Sequence, residues 1–154
     1  MKVVVGYVLS AETLILIRRS KDPYAGYLSL PGGKVEESDD TYEIAMRREL
    51  SEETGLEAEG IEKVGVCYET LIESDRRAYF EMHIYAITAA GRLRESSEGT
   101  IERIRESDLH HHAHRIIPSD YAIITRILNG ERGFAYTCTM RLENGVYALS
   151  DELD

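Results

Sequence analysis

Three glutamates, Glu49, Glu52 and Glu53, stand three and four residues apart in the stretch Arg48-Glu49-Leu50-Ser51-Glu52-Glu53-Thr54-Gly55-Leu56. Residues at those offsets share one face of a helix. Asp40 is placed to cap that helix, and Glu43 three residues on completes a capping box. Gly55 falls where a left-handed terminating residue belongs. The spacing therefore predicts a helix over 40–54. Three carboxylates on one face repel one another. At about 5 Å and an effective dielectric near 20, each pair costs roughly 3 kcal/mol before water screens it. An open surface dilutes that cost, and acidic runs on helices are usually solvated faces. The approach to this helix argues for a cleft instead. Pro31-Gly32-Gly33 lets the backbone come close to a ligand and expose its carbonyls, and a polar loop over 34–39 then delivers the chain to the acids. In a cleft, the natural partner of such a trio is a hard dication, Mg²⁺ or Mn²⁺, which prefers carboxylate oxygen. Arg48 reaches Glu52 one turn on, or its neighbour Glu49, and is placed to orient either.

The rest of the chain frames that helix. Its 154 residues suit one domain, 1–154, with one core. Apolar, β-branched runs predict strands over 2–9 and 13–19, and a short extended piece over 27–30. A strand pair follows over 64–72 and 78–88, turned at Glu73-Ser74-Asp75. In its second member Phe80, Met82, Ile84 and Ala86 share a face, and His83 points the other way. A strand over 100–105, a short helix over 106–112 and a second helix over 118–128 come next. Tyr121, Ile124 and Leu128 set the helical period of the last. Asn144-Gly145 turns a closing hairpin over 134–149. Strands and helices interleave, yet most strand neighbours are joined by hairpins. That predicts an α/β (α+β) fold with a mixed sheet covered by helices, not a doubly wound parallel sheet.

Charge and composition narrow the partners. The formal net charge is −10, which argues against a nucleic-acid polymer, since phosphate backbones need clustered Lys and Arg. A small phosphate ligand that arrives with a cation is not excluded. The longest apolar runs, such as 3–9, are too short to span a membrane, and the N-terminus has no signal-peptide layout, so a cytoplasmic location is expected. Cys67 and Cys138 read as small buried hydrophobes. His110, His111, His112 and His114 form a tract in which His110 and His114 could chelate a transition metal on a helix. A solvated helix end is the preferred reading.

Taken as one segment, Gly32 to Leu56 resembles the Nudix box, G-x5-E-x7-R-E-U-x-E-E-x-G-U, where U is bulky and apolar. Gly33 opens it, and Arg48, Glu49, Leu50, Glu52, Glu53, Gly55 and Leu56 match its second half. The lead-in from Gly26 to Pro31 is also similar, with Tyr27 where many members have Trp. Two departures stand out. The loop carries one extra residue, and the first Glu is replaced by Asp. Counting back from Arg48 reaches Asp40, whereas counting forward from Gly33 reaches Asp39. A helix fixes register more tightly than a loop, so Asp40 is expected in that slot.

The resemblance implies a Nudix-type α/β/α sandwich with a mixed sheet and a C-terminal β-hairpin. It implies metal ligands at the Gly32 carbonyl, Glu49, Glu52 and Glu53, with a further acid from Glu98 or Glu102. It implies Mg²⁺ as cofactor, with Mn²⁺ as the alternative, and a proton acceptor at Glu52 or Glu49 beside Arg48. Gly33, Lys34, Tyr27 and Asp120 are the candidate substrate contacts, and Tyr7 joins them if it lines the cleft. The implied reaction is attack of water on a nucleoside diphosphate linkage.

For the substrate, 116–121 resembles the P-x-D segment of MutT-like 8-oxo-dGTP diphosphatases, and the final hairpin resembles their tail. By that resemblance Asp120 reads the edge of the base. Its competing role is in the first turn of the late helix, where Ser119 caps and an acid complements the helix dipole. The leading expectation is hydrolysis of a modified nucleoside triphosphate such as 8-oxo-dGTP to monophosphate and pyrophosphate. The rivals are an ADP-ribose or other nucleotide-sugar pyrophosphatase, and a nucleotide-binding module that does not cut. Expected partners are a small nucleotide and at most a second copy of the chain, as monomer or homodimer, with no membrane.

Overall fold

Two runs dominated by β-branched and leucine residues sit at the centre of the molecule. Val4 to Val8 and Leu14 to Ile17 are buried throughout, which requires cover on both faces of a sheet. The computed structural model describes residues 1–97 and 99–151. In chain order it holds β1 (Lys2–Ser10), β2 (Thr13–Arg19), β3 (Leu28–Ser29), β4 (Gly32–Lys34), α1 (Tyr42–Thr54), β5 (Leu56–Glu73), β6 (Arg76–Gly91), β7 (Gly99–Arg105), a 3-10 helix (Glu106–Arg115), α2 (Pro118–Leu128), β8 (Phe134–Glu143) and β9 (Val146–Asp151). The sheet order is β3-β2-β1-β6-β5-β8-β9, with β4 paired to β1 and β7 to β2. β1 runs parallel to β6, and β5 parallel to β8; the other pairs are antiparallel.

Strand alternation divides the core in two. Val4, Val8, Ile15 and Ile87 pack on Ala45, Met46 and Leu50 of α1. Val5, Leu14, Leu16 and Ile84 point to the other face, against Leu109 of the 3-10 helix and Ile123, Ile124 and Ile127 of α2. The result is the expected α/β/α sandwich with a mixed sheet. The closing hairpin is also present: Asn144 and Gly145 both take positive φ, 53° and 78°, as a two-residue turn of this twist demands. Cys67 and Cys138 are free and buried. His83 stacks on Tyr42 of α1, on the opposite face from Met82 and Ile84. Among the described residues no helix is long and apolar enough to cross a membrane.

Several expectations are corrected. α1 starts at Tyr42, and its cap is Thr41, whose hydroxyl accepts from the Ile44 N–H at 3.1 Å; Asp40 does not cap it. β5 starts at Leu56, well ahead of 64, because its first half exposes polar side chains that mask the strand period, and β6 runs two or three residues past 78–88 at each end. α2 buries Ile123, Ile124 and Ile127 and leaves Leu128 exposed, so the Tyr121-Ile124-Leu128 stripe is rotated from the one observed. Ile117 precedes that helix and Pro118 begins it. Among the described residues the Ser119 hydroxyl makes no hydrogen bond, and it is not a cap. The segment 32–34, expected as a glycine-rich exit from the extended piece and the first residue of a polar loop, pairs with β1 as β4.

Candidate active site

The pairing of β4 with β1 fixes the two glycines of the box. Gly32 lies opposite Val5, and Gly33 opposite Val4. A Cβ on Gly32 would fall on the Val4 carbonyl oxygen, and one on Gly33 would lie 2.5–2.6 Å from the Glu49 carboxyl group. Glycine is required at both positions by close approach. The Gly32 N–H donates to Glu53 Oε1 at 2.6 Å, and Glu53 is buried. Two of the three helix glutamates are thus seated against the glycine turn. Leu50, fully buried, anchors the inner side of α1, and Gly55 ends the helix in the left-handed region at φ 77°. Glu52 differs: its side chain is 60% exposed and faces Arg48 at 3.2 Å.

Arg48 ties this region together. Its guanidinium donates from Nε and Nη2 to Asp39 at 3.0 and 2.8 Å, and from Nη1 to Glu49 at 2.9 Å and Glu52 at 3.2 Å. Nη2 also donates to the Lys34 carbonyl at 3.1 Å, and Glu36 lies 3.6 Å away. Asp39 further accepts from the Glu36 N–H at 2.8 Å. The Arg48 bond, followed by the Glu36 N–H, holds the Asp39 carboxyl below the usual carboxylate range. Asp39 therefore occupies the slot of the first acid, not Asp40. Counting back from Arg48 fails because helical register begins only at Tyr42.

A divalent cation fits this donor set. Four carboxylates, Glu36, Asp39, Glu49 and Glu52, surround one guanidinium, and Glu53 lies on the same helix. The negative excess and the all-oxygen chemistry suit a hard dication. Among the described residues no three acidic, histidine or cysteine side chains converge on one point. The carboxylates are turned instead toward Arg48 and the Gly32 N–H. Of the two outer acids expected, Glu98 lies outside the described residues. Glu102 sits on β7 in a two-pronged pair with Arg115 at 2.7 and 2.8 Å. Lys34 is brought in by its backbone, through the bond to Arg48.

A cavity of about 340 Å³ opens beside Gly32 and Gly33, within the size range of small-ligand sites. Its walls include Val3, Val5, Leu30, Phe80, Met82 and Ile117, and its polar floor holds Tyr24, Glu69, Ser119 and Asp120. Asp120 is 6% exposed, and its Oδ2 accepts from the Leu30 N–H at 2.9 Å. Burial, with the Glu69 charge adding, pushes its pKa up to about 7. Burial likewise raises Glu69. Sequence reasoning missed Glu69. Its signal was the alternation Cys67, Glu69, Leu71, all three buried, which puts an acid on the inward face of β5.

Two other expectations move, and the preferred reading of the histidine tract as an exposed helix end stands. Tyr27 packs edge-on to Tyr24 and Tyr147, and its hydroxyl accepts from the Tyr147 N–H; Tyr24, not Tyr27, lines the cavity. Tyr7 donates to Glu106 and faces a separate hollow of about 490 Å³ to which α1 contributes nothing. The histidine tract is a 3-10 helix, in which residues three apart eclipse, so His110 and His114 lose the alignment chelation needs.

A family model described as the NUDIX domain matches residues 1–126. The chain belongs to the Nudix family. The Nudix chain, with the glutamates of its box retained, is a pyrophosphohydrolase. Solved structures of the same fold include the MutT protein of Bacillus halodurans, with a TM-score of 0.74 at 20% identity over 97% of each chain. The NUDIX domain of Shewanella oneidensis NrtR, solved with ADP ribose, gives 0.72 at 19% identity over 84% of this chain and 87% of that one. A bifunctional NMN adenylyltransferase/ADP ribose pyrophosphatase of Francisella tularensis, solved with AMP and a Mn ion, gives 0.65 at 20% identity over 84% of this Nudix chain and 41% of its own. No curated protein matches the Nudix chain.

Proposed function

We propose that this Nudix chain is a metal-dependent hydrolase of a nucleoside triphosphate, of the 8-oxo-dGTP type, that releases nucleoside monophosphate and pyrophosphate. One observation carries the reading: an apolar cavity with a buried acidic floor adjoins the glycine turn on which Glu49 and Glu53 are seated. A base held in the cavity puts its phosphates over Gly32 and Gly33, beside the acidic helix.

The residues that would hold Mg²⁺, or Mn²⁺, are Glu49, Glu52, Glu53 and the Gly32 carbonyl, with Glu98 or Glu102 as the outer acid. When bound, the cation neutralises charge on the diphosphate and makes water a better nucleophile. The chain's own part is positional and basic. Gly32 and Gly33 let the Glu53 and Glu49 carboxylates sit against the backbone beside the phosphates. Arg48, pinned by Asp39, orients the Glu49 and Glu52 carboxylates. One of those two accepts the proton of the attacking water. Lys34 and Asp120 are the further substrate contacts, Lys34 toward the phosphates and Asp120 toward the base. We read the chain as a single cytoplasmic domain, a monomer or homodimer.

A second reading has its own support. The Shewanella and Francisella structures are described by their ADP ribose ligand and ADP ribose pyrophosphatase activity, so a nucleotide sugar is the alternative substrate. A panel of nucleotides with Mg²⁺ and with Mn²⁺, products identified, separates the two. Pyrophosphate from a triphosphate supports the first reading, and ribose 5-phosphate from ADP-ribose the second. Saturable nucleotide binding with no phosphate release would overturn both in favour of a binding module.

A further inference from the structure

The floor of the cavity holds a carboxylate oxygen that has no hydrogen-bond partner among the described residues. Glu69 projects inward from β5 and is 5% exposed. The Tyr24 hydroxyl donates to its Oε2 at 3.1 Å, and among the described residues its Oε1 accepts from none. Ser119 lies close enough to favour the charged form of Glu69, yet its hydroxyl, also buried, lacks hydrogen-bond geometry to any group among the described residues. Beside them Asp120 has its Oδ2 on the Leu30 N–H. A buried acceptor without a donor is costly. A purely structural Glu69 would need one oxygen for Tyr24 and no charge at all, and Gln or an apolar residue would serve better. The arrangement makes sense when a ligand brings N–H donors to the floor.

We propose that Glu69 sets base specificity: its Oε1 accepts from the Watson–Crick edge of a guanine-type base, with Asp120 as the neighbouring acceptor and Tyr24 holding the Glu69 carboxylate in place. The inference rests on the reading of the cavity as a nucleotide site and deepens it. The walls, Leu30, Phe80, Met82 and Ile117 among them, suit a flat heteroaromatic ring. Guanine presents two adjacent donors on that edge, the ring N1–H and the 2-amino group. Adenine presents one donor and one acceptor, and thymine or uracil one donor between carbonyls. Only the first pattern offers one donor to Glu69 Oε1 and a second to Asp120, whose carboxyl group is a full acceptor once it sheds its proton above about pH 7. Hypoxanthine, which is guanine without the 2-amino group, isolates the second donor. An 8-oxo group leaves this edge unchanged.

The test is calorimetric titration of the metal-free protein with GMP, IMP and AMP, for the unaltered chain, Glu69→Gln and Glu69→Asp, with thermal unfolding of each. GMP is expected to bind roughly tenfold or more tightly than IMP and AMP, the discrimination typical of a good two-bond base contact. Glu69→Gln turns one acceptor into a donor, and Glu69→Asp withdraws the carboxylate by one methylene. Each is expected to bring the three affinities within about twofold, and if one variant fails to fold, the other decides. Equal affinities for GMP and IMP in the unaltered chain overturn the inference, as does tighter binding of AMP or a GMP preference that survives either folded variant. Absence of hydrolysis for every nucleotide tested would sink the proposed reaction alone, because these titrations need no turnover.

Discussion

The Gly32 N–H donates to Glu53 Oε1 at 2.6 Å, which joins the glycine turn to the far end of the acidic helix. The bond sits beside the contact of Gly33 with the Glu49 carboxyl group, so the turn and the helix face are fitted to each other over a full turn of α1. Neither partner is interchangeable. The helix needs glycines opposite it, and the glycines need acids whose carboxylates stop at the backbone.

Gly33→Ala separates function from stability. The new methyl meets only the far end of a side chain, the Glu49 carboxyl group at 2.5–2.6 Å, and Gly33 does not hold a positive φ. Glu49 is displaced while the β1–β4 pairing survives. Turnover is expected to fall by roughly tenfold to a hundredfold, as for loss of a supporting contact in a metal site, with a melting temperature within a few degrees of the parent. Gly32→Ala, whose methyl meets the Val4 carbonyl oxygen, is expected to lower the melting temperature as well. Steady-state rates and thermal unfolding on both variants check this.

Asp39→Asn and Asp40→Asn decide the register of the box. Asp39 holds Arg48 through two nitrogens, and Asp40 makes no such contact. Turnover and melting temperature should fall in Asp39→Asn and stay near parental in Asp40→Asn. The pH dependence has a definite sign. The folded state holds the Asp39 carboxyl below its ordinary value, so its contribution is present above about pH 4 and is lost as pH falls below that. Thermal unfolding between pH 2 and 6 should show a steeper acid loss in the parent than in Asp39→Asn.

Asp120 contributes with the opposite sign. Folded, it keeps its proton up to about pH 7; unfolded, it releases it near pH 4. The folded state therefore binds the extra proton between those values, and stability is lost as pH rises from about 4 to about 7. Asp120→Asn keeps an oxygen for the Leu30 N–H and removes the titration. Its melting temperature is expected to decline less than the parent's across that window. Parallel pH profiles of the two proteins would remove Asp120 as a buried titrating group.

The acidic helix, its Gly55 terminator, the closing hairpin and the mixed sandwich were legible in the sequence because each has a local signature: carboxylates at helical offsets, a glycine at a left-handed position, Asn-Gly between alternating runs. The identity of the first acid was not, since one inserted residue can be absorbed on either side of the helix start, and only the Asp39 contact to Arg48 reveals which. β4 escaped because Gly32 and Gly33 have no side chains to carry a period. The cavity floor escaped because Tyr24, Glu69 and the Ser119-Asp120 pair come from three separate segments. Their convergence follows from β5 and α2 meeting across the sheet face.

The central claim is that the glutamates seated on the glycine turn hold a dication needed for hydrolysis. Mn²⁺ binding by paramagnetic resonance, measured with turnover on the same preparations of the parent and Glu53→Gln, tests it directly. Gln keeps an oxygen for the Gly32 N–H, so the fold should persist. The parent is expected to bind Mn²⁺ and to hydrolyse nucleotide only with added metal, and the variant to lose roughly two orders of magnitude in turnover together with weakened Mn²⁺ binding. A folded Glu53→Gln that binds Mn²⁺ and turns over like the parent, or a parent equally active in excess chelator, would contradict it.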